Sequence, residues 1–499
     1  MNFDAWLPAL LVMSSMVPGV VIFFLPENWS GLRTALNMGG ATVKLGLIAV
    51  MIWGVFHEHT YETRITLLPG MDLVLHADAL SVLFVTLSTV LWFLTTLYAI
   101  GYLEKYPYPR SRFFGYFSLC VSATIAIALA GNLITFLIAY EILTLTTYPL
   151  VTHRGSHEAI RAGRIYLAYT LSGGAVLLFA VAWLRALAGP LDFTEGGLLA
   201  ILGSFYRPEL ILIFFLLIAG LGVKAALVPL HGWLPIAMVA PAPVSALLHA
   251  VAVVKAGAFG IVRVIYDVYG IKYASELGLL LPLAIMASFT IVYGSVRALY
   301  QDELKKRLAY STVSQVSYIA LGSAIFGPVA TMGGIVHLVH QGLMKITLFF
   351  CAGNLAETLG IHNISQMSGV GRRMPWTMAA FTLAALGMIG VPPMAGFISK
   401  WYLAVGGLAA GQEWVIAVLV ASSLLNAAYF LPIISRTWFE APPSHWPKDH
   451  IPGRLETHWM LLIPPLVTAA LALGAGLLAN APFSPLEWVR LIVAREYGP

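Results

Sequence analysis

About fourteen runs of roughly 20 apolar residues follow one another along the chain, and that is the length one helix needs to cross a bilayer. Hydrocarbon offers the backbone no hydrogen-bond partners, so each run must satisfy its own N–H and C=O groups as a helix. The runs lie near 5–25, 34–55, 77–101, 113–130, 132–151, 164–188, 209–240, 242–266, 275–298, 307–326, 330–355, 376–408, 413–437 and 457–480. Hydrophobic residues make up 59% of the 499 and charged residues 10%, against about 25% charged in a soluble domain. An all-α polytopic membrane protein is expected, with lipid as its solvent and no separate soluble domain.

Residues 1–25 lack the basic start of a secretory signal and carry Asp4 instead, so they read as a first membrane helix. Cys120 and Cys351 both fall in apolar runs and read as small core residues, with no disulfide framework or metal spacing. The net charge of +5 comes with no long basic cluster, which argues against nucleic acid as a partner. Sorting lysine and arginine by loop places sixteen on one side, including Arg33, Lys105, Lys305 and Arg454. The other side holds seven, including Arg263. The positive-inside rule then puts both termini outside.

Two runs are interrupted. The seventh carries Pro229 and Pro235, the twelfth Pro392 and Pro393. Proline removes a backbone donor and clashes with the preceding turn, so both helices should unwind mid-membrane. Such backbone survives there only when buried in protein or lining water. The breaks are five spans apart, and units offset by an odd number of helices have opposite orientation. The expected organisation is therefore a peripheral segment (1–112), a first inverted repeat (113–266), a second (275–437), and a last helix with its tail (457–499).

Ionisable groups inside these runs are the functional clue, since each costs roughly 2.5–3.5 kcal/mol at a bilayer centre on insertion scales. Glu141, Lys224, Lys255, Lys345 and Lys400 sit at mid-run positions, with His249, His337 and His340. A buried lysine loses its proton easily and regains it beside a carboxylate, so Glu141 and Lys224 suit a switch. A structural carboxylate is the competing reading of Glu141. Six residues separate His249 from Lys255, about 9 Å along the axis and on different faces. Those two could be successive stops, or His249 could be a core histidine held by a backbone carbonyl. His337, Gln341 and Lys345 form one ridge at i, i+4, i+8, with His340 beside it. No carboxylate or cysteine accompanies these histidines, which argues against metal. Lys44 has no visible acidic partner and reads as snorkelling or structural.

Three stretches carry a resemblance: Lys224–Pro235 (KAALVPLHGWLP), Ala240–His249 (APAPVSALLH) and Asp302–Gln315 (DELKKRLAYSTVSQ). Together they resemble the antiporter-like subunits of respiratory complex I and the D-type subunits of Mrp Na⁺/H⁺ antiporters. Membrane-bound hydrogenases share this module, and the resemblance covers about residues 75–440. It implies a fourteen-helix proton-translocating module with an inverted repeat, in which Glu141, Lys224, Lys255, His337, Lys345 and Lys400 are stations. Lysine at position 400, where relatives carry lysine or glutamate, favours the D-like or distal type. Absence of a long lateral helix after the last span disfavours the largest complex I subtype. Ile236 and Met238 depart from the family's aspartate and histidine, and Gln341 stands where a second histidine is usual, with His340 displaced by one.

The expected function is a proton-translocating, antiporter-like subunit of a multisubunit complex in a bacterial or archaeal cell membrane. Protons are its cargo, with Na⁺ open as a second ion, and its partners are lipid and other membrane subunits. No cofactor and no bond-making chemistry on this chain are expected, although the whole complex could be redox-driven. A structural, non-transporting subunit is the alternative. A membrane enzyme would need a nucleophile or metal constellation that the sequence does not show.

Overall fold

Unbroken apolar runs become helices in the computed structural model, which describes residues 3–104, 109–199, 206–448 and 455–497. Lys105 and Arg454, counted above among the loop charges, lie outside the described residues. In chain order the helices are α1 (Phe3–Phe23), α2 (Ser30–Phe56), α3 (Ala79–Leu103), α4 (Arg110–Ala128), α5 (Leu133–Val151) and α6 (His157–Ala188). They continue as α7 (Arg207–Lys224), α8 (Ala242–Tyr269), α9 (Leu280–Leu299), α10 (Leu304–Ser323) and α11 (Pro328–Leu359). Next come α12 (Pro375–Ile389, resuming as Ala395–Ala409), α13 (Trp414–Phe439), α14 (Trp459–Leu477) and α15 (Pro485–Tyr497). Among the described residues eleven helices are long and apolar enough to cross a membrane.

The helices are sorted by burial. α8 and α11 are covered along their length, whereas α1, α2 and α13 bury about a third of theirs. Outer helices turn residues such as Val43, Trp53, Phe179 and Leu424 outward, as a lipid-facing surface requires. Lipid tails give little hydrophobic reason for helices to associate, so close packing must hold them. Small residues supply it. A side chain on Gly322 would overlap the backbone of Gly334, so α10 and α11 approach as closely as glycine permits.

Helix starts are capped with care. Glu27 accepts from the Arg110 and Ser111 amides at 3.0 Å, capping α4. Glu456 does the same for α12, accepting from the Trp376 amide at 2.9 Å and the Thr377 amide at 2.7 Å. A carboxylate at a helix N-terminus satisfies free N–H groups and meets the positive end of the dipole.

Two elements were not anticipated. Residues Tyr61–Leu68 (β1) and Met71–Ala77 (β2) pair antiparallel between α2 and α3, with Tyr61 opposite Ala77. The turn is Pro69-Gly70, and Gly70 takes φ +78°, a left-handed value that suits glycine. The second is α15, a 13-residue helix after α14 that packs on α3 and α11. It lies where a bare tail was expected.

The loop-charge reading also needs correction. Arg263 is not a loop charge: it is 1% exposed within α8 and ties that helix to the start of α3. Its guanidinium donates to both Asp78 oxygens, at 2.6 and 2.9 Å, and to Asp267 at 3.0 Å. Arg33 is likewise buried, and Lys305 donates to the Met238 and Ala240 carbonyls at 2.6 Å. Three of the charges used for orientation thus have structural partners. Side-chain burial, not loop membership, decides their surroundings.

Glu496 on α15 is half-buried, and this burial together with the charge of Asp267 pushes its carboxyl up to about 8. An undocked helix would let Glu496 ionise near its ordinary value, 4.5. The docked state therefore binds the extra proton, and docking weakens as pH rises from the lower value through the higher. Hydrogen-exchange protection of Pro485–Tyr497, corrected for the intrinsic rise of amide exchange with pH, should fall between about pH 4.5 and pH 8. In Glu496→Gln that fall in protection should be absent.

Candidate functional site: a row of buried lysines

Both breaks are real, and each is built from freed backbone groups. α7 stops at Lys224, and the chain runs irregularly through 225–232 before one short turn at Trp233–Ile236. Ala226 sits at φ +56°, an uncommon left-handed value for a residue with a Cβ. The Trp233 indole donates to the Val223 carbonyl at 2.7 Å, sharing it with the Ala226 amide at the end of the helix. Pro229 lies inside this break, whereas Pro235 belongs to the short helical turn after it. In α12 the interruption covers Gly390 to Met394 and contains Pro392 and Pro393.

The four lysines stay inside. Lys224, Lys255 and Lys345 are fully buried and Lys400 is 8% exposed, so none reaches outward to lipid. Each ammonium is met by oxygen. Lys224 donates to the Tyr140 carbonyl on α5 and lies over the Tyr140 ring, 3.3 Å from its centroid. Lys255 donates to the Leu338 carbonyl on α11 at 2.6 Å. Lys345 reaches the Ser311 hydroxyl at 2.7 Å and the Leu308 carbonyl at 3.2 Å, both on α10. Lys400 donates to the Met388 and Ile389 carbonyls at 3.0 and 2.8 Å and to the Ser423 hydroxyl at 3.0 Å. Those two carbonyls end the first half of α12, where a cation also meets the negative end of the dipole.

Glu141 is near this row without being locked into it. Among the described residues it makes no ion pair, and its Oε1 is buried with no hydrogen-bond partner. It follows Tyr140 directly, so one α5 segment offers the Lys224 ammonium a carbonyl and keeps a carboxylate in reserve. Gly174 on α6 makes the room: a side chain there would overlap the Glu141 carboxylate.

The histidines are not satisfied as ordinary core residues. Both ring nitrogens of His249 are buried without a partner and no backbone carbonyl holds that ring, and those of His340 are buried without a well-formed hydrogen bond. His337 meets the Ser399 hydroxyl at 2.8 Å through Nδ1, beside the Tyr318 ring at 5.0 Å. Gln341 has no partner on either amide atom. Unpaired buried polar atoms cost roughly 1–3 kcal/mol each, and ordered water is the ordinary way proteins satisfy them. Between His249 and Lys255 the helix widens into a π-turn at Leu247–Val251, which resets the phase assumed from a regular period.

A connection that the sequence did not reveal joins the last two lysines. Ser311, which accepts from Lys345, bonds the Tyr429 hydroxyl at 2.8 Å. Tyr429 donates to Asn426 at 2.6 Å, and Asn426 donates to the Met388 carbonyl at 3.0 Å. That carbonyl also accepts from Lys400. A hydroxyl, a phenol and an amide thus link Lys345 to Lys400 through α10, α13 and the broken α12. Cys120 and Cys351 are free and buried, Cys120 lying 3.0 Å from the Thr147 hydroxyl.

Lys44 does not snorkel. It is fully buried, donates to Ser15 at 2.6 Å and lies 4.6 Å from the Trp92 ring centroid. Inward burial removes one of the two readings given to it and leaves the structural one, together with the question of what else it does.

Two substitutions test this geometry. Gly174→Ala should displace the Glu141 carboxylate by about an ångström and lower ion transport about 100-fold, the cost typical of such misplacement. Tyr429→Phe should leave Ser311 and Asn426 short of one bond, costing about 1–3 kcal/mol. Transport should also fall about tenfold, the effect of raising its barrier by about 1.4 kcal/mol. Reconstituted vesicles measure the rates, and thermal denaturation in detergent measures the stability change.

Comparison with known proteins bears on the family and the fold. Residues 130–426 match the family described as NADH:quinone oxidoreductase/Mrp antiporter, TM. NADH-quinone oxidoreductase subunit N of Desulforudis audaxviator (strain MP104C) is 35% identical over 427 residues, covering 83% of this chain and 82% of that protein. Hydrogenase-4 component B of Escherichia coli (strain K12) is 31% identical over 389 residues, covering 74% of this chain but 57% of that longer protein. Among solved structures, a chain of the Mrp complex from Dietzia sp. DQ12-45-1b superposes with a TM-score of 0.87, covering 100% of this chain and 98% of its own. Its 23% identity makes that a likeness of fold. The chain belongs to the NADH:quinone oxidoreductase/Mrp antiporter transmembrane family, as a membrane-embedded, multi-pass, antiporter-like subunit.

Proposed function

We propose that this subunit carries protons along Glu141 and Lys224, Lys255 with His249, His337 with His340 and Lys345, then Lys400. The observation that carries the reading is the burial of all four lysines on oxygen partners, with Lys345 and Lys400 joined through Ser311, Tyr429 and Asn426. Water on the unpaired atoms of His249, His340, Gln341 and Gln315 would complete the gaps. Transfer needs no bond chemistry. A carboxylate that approaches Lys224 favours the ammonium, and one that withdraws favours the neutral amine, which passes its proton on.

Driving energy must come from a neighbour. Ile142 and Leu145, adjoining Glu141 on α5, are 47% and 59% exposed, and this face suits packing by another membrane subunit. Such a contact would let events next door move Glu141. Redox chemistry or a counter-ion gradient would serve equally, and the partners that co-purify in mild detergent separate the two.

In the same reading α7, α10 and α12 join the eleven longer apolar helices to give fourteen crossings. Residues 113–266 and 275–437 are then inverted repeats around the two breaks, flanked by 1–112 and 457–499. Both termini face outward from a bacterial or archaeal cell membrane. Impermeant labelling of single cysteines placed in the α1–α2 and α4–α5 connections tests the orientation. The central experiment is Glu141→Gln in reconstituted vesicles: coupled transport should be abolished while assembly is unchanged. Normal coupled pumping by that variant would refute the switch.

A further inference from the structure

Lys44 lies outside the row just described, and the polar atoms around it form a second track. Its ammonium donates to Ser15 on α1 at 2.6 Å, and Ser15 meets Ser122 on α4 at 2.8 Å. Ser122 donates to the Ser118 carbonyl at 2.9 Å, and the Ser118 hydroxyl donates to Asn37 on α2 at 3.3 Å. Asn37 donates to the Arg33 carbonyl at 3.0 Å, and Arg33 donates to the Ser111 hydroxyl at 2.9 Å. Arg33 also stands 3.6 Å from Glu27, whose side chain is half exposed at the helix ends. The series climbs from that membrane face to Lys44 inside the layer of α1, α2 and α4.

Nothing ionic compensates the cation at its top. Helices α1, α3 and α4 all pack on α2, and the groups they bring are Ser15, the Trp92 ring and, one bond further, Ser122. Among the described residues Lys44 forms no ion pair. On α3, Thr89, Trp92 and Thr96 stand at i, i+3 and i+7, one helix face that includes the ring beneath Lys44. The hydroxyls of Thr89 and Thr96 and the indole N–H of Trp92 are all buried without a partner. A buried polar site with three open valences beside a lone amine is a place for water.

From this arrangement we infer that Lys44 is a proton-binding site loaded from the Glu27–Arg33 face through a hydrated serine track, separate from the central row. The exchange is one proton: the amine takes it from water on the Ser15–Ser122 hydroxyls and returns it the same way. The track ends at Lys44 over the Trp92 ring, on α3, the helix that packs on both α2 and α11. It therefore acts as a store of protons on that side of the protein.

Thiol access tests the route without depending on transport. Ser15→Cys in the assembled complex should react with a small cationic methanethiosulfonate added on the Glu27–Arg33 face, several-fold faster than from the opposite face. Wild type, with buried Cys120 and Cys351, sets the background. Lys44→Met should flatten the dependence of transport rate on pH at that face, and Lys44→Arg should flatten it too, because a guanidinium keeps its proton. Ser15→Ala with Ser122→Ala, which keeps the lysine and its packing, should also flatten it. Labelling no faster than background, or an unchanged pH profile in the double serine variant, overturns the inference. If Lys44→Met fails to assemble, the serine pair and the labelling still decide. Failure of the Glu141 switch would leave the Ser15→Cys labelling untouched, so the two readings are separable.

Discussion

An ammonium group in a hydrocarbon slab must find oxygen, and this requirement organises the interior. Helices satisfy their own carbonyls, so a helical bundle has few to spare. Carbonyls become available where a helix stops. Lys400 takes the two that end the first half of α12, and the Trp233 indole shares the Val223 carbonyl at the end of α7 with the Ala226 amide. Elsewhere a lysine shares a carbonyl already in use, as Lys255 does at Leu338 and Lys345 does at Leu308. At Lys400 break and lysine therefore belong to one design, because broken backbone and buried cation each lack what the other supplies.

The same scarcity explains why the central helices are so completely covered. α8 and α11 carry Lys255, His249, His337, His340 and Lys345, and every one of these is shielded from lipid by surrounding helices. Close approach through glycine, as between Gly322 and Gly334, lets the shield be tight. Yet the interior is not fully satisfied. His249, His340, Gln315 and Gln341 keep buried atoms without partners, while Lys224 is held by a carbonyl with Glu141 unpaired beside it. A purely structural core would have little reason to retain such groups; a hydrated transfer route has a direct one.

Much of the site could be read along the chain because charge inside an apolar run is conspicuous. Glu141 and the four lysines stand out against their neighbours, and the prolines at 229, 392 and 393 mark interruptions in otherwise helical stretches. Serine, tyrosine and asparagine are common in membrane helices and stand out less. Ser311, Tyr429 and Asn426 therefore gave no signal, although they join Lys345 to Lys400. The β-hairpin could have been found from Pro69-Gly70 between two short runs of β-forming residues. Windows long enough to detect a membrane helix average such a feature away. Arg263 was misjudged for a related reason: position near a helix end resembles a loop charge, and only the approach of Asp78 across 185 residues shows otherwise.

By itself the sequence determined the solvent, the helices, the two breaks and the identity of the ionisable groups inside the spans. Each follows from local chemistry: run length, backbone satisfaction, proline geometry and the cost of isolated charge. Tertiary structure alone decided which oxygen each lysine meets, that Lys44 turns inward onto Ser15 and Trp92, and that Glu141 stays unpaired. Those outcomes depend on distances between helices far apart in the chain. No periodicity along one helix encodes which face of another will arrive opposite it.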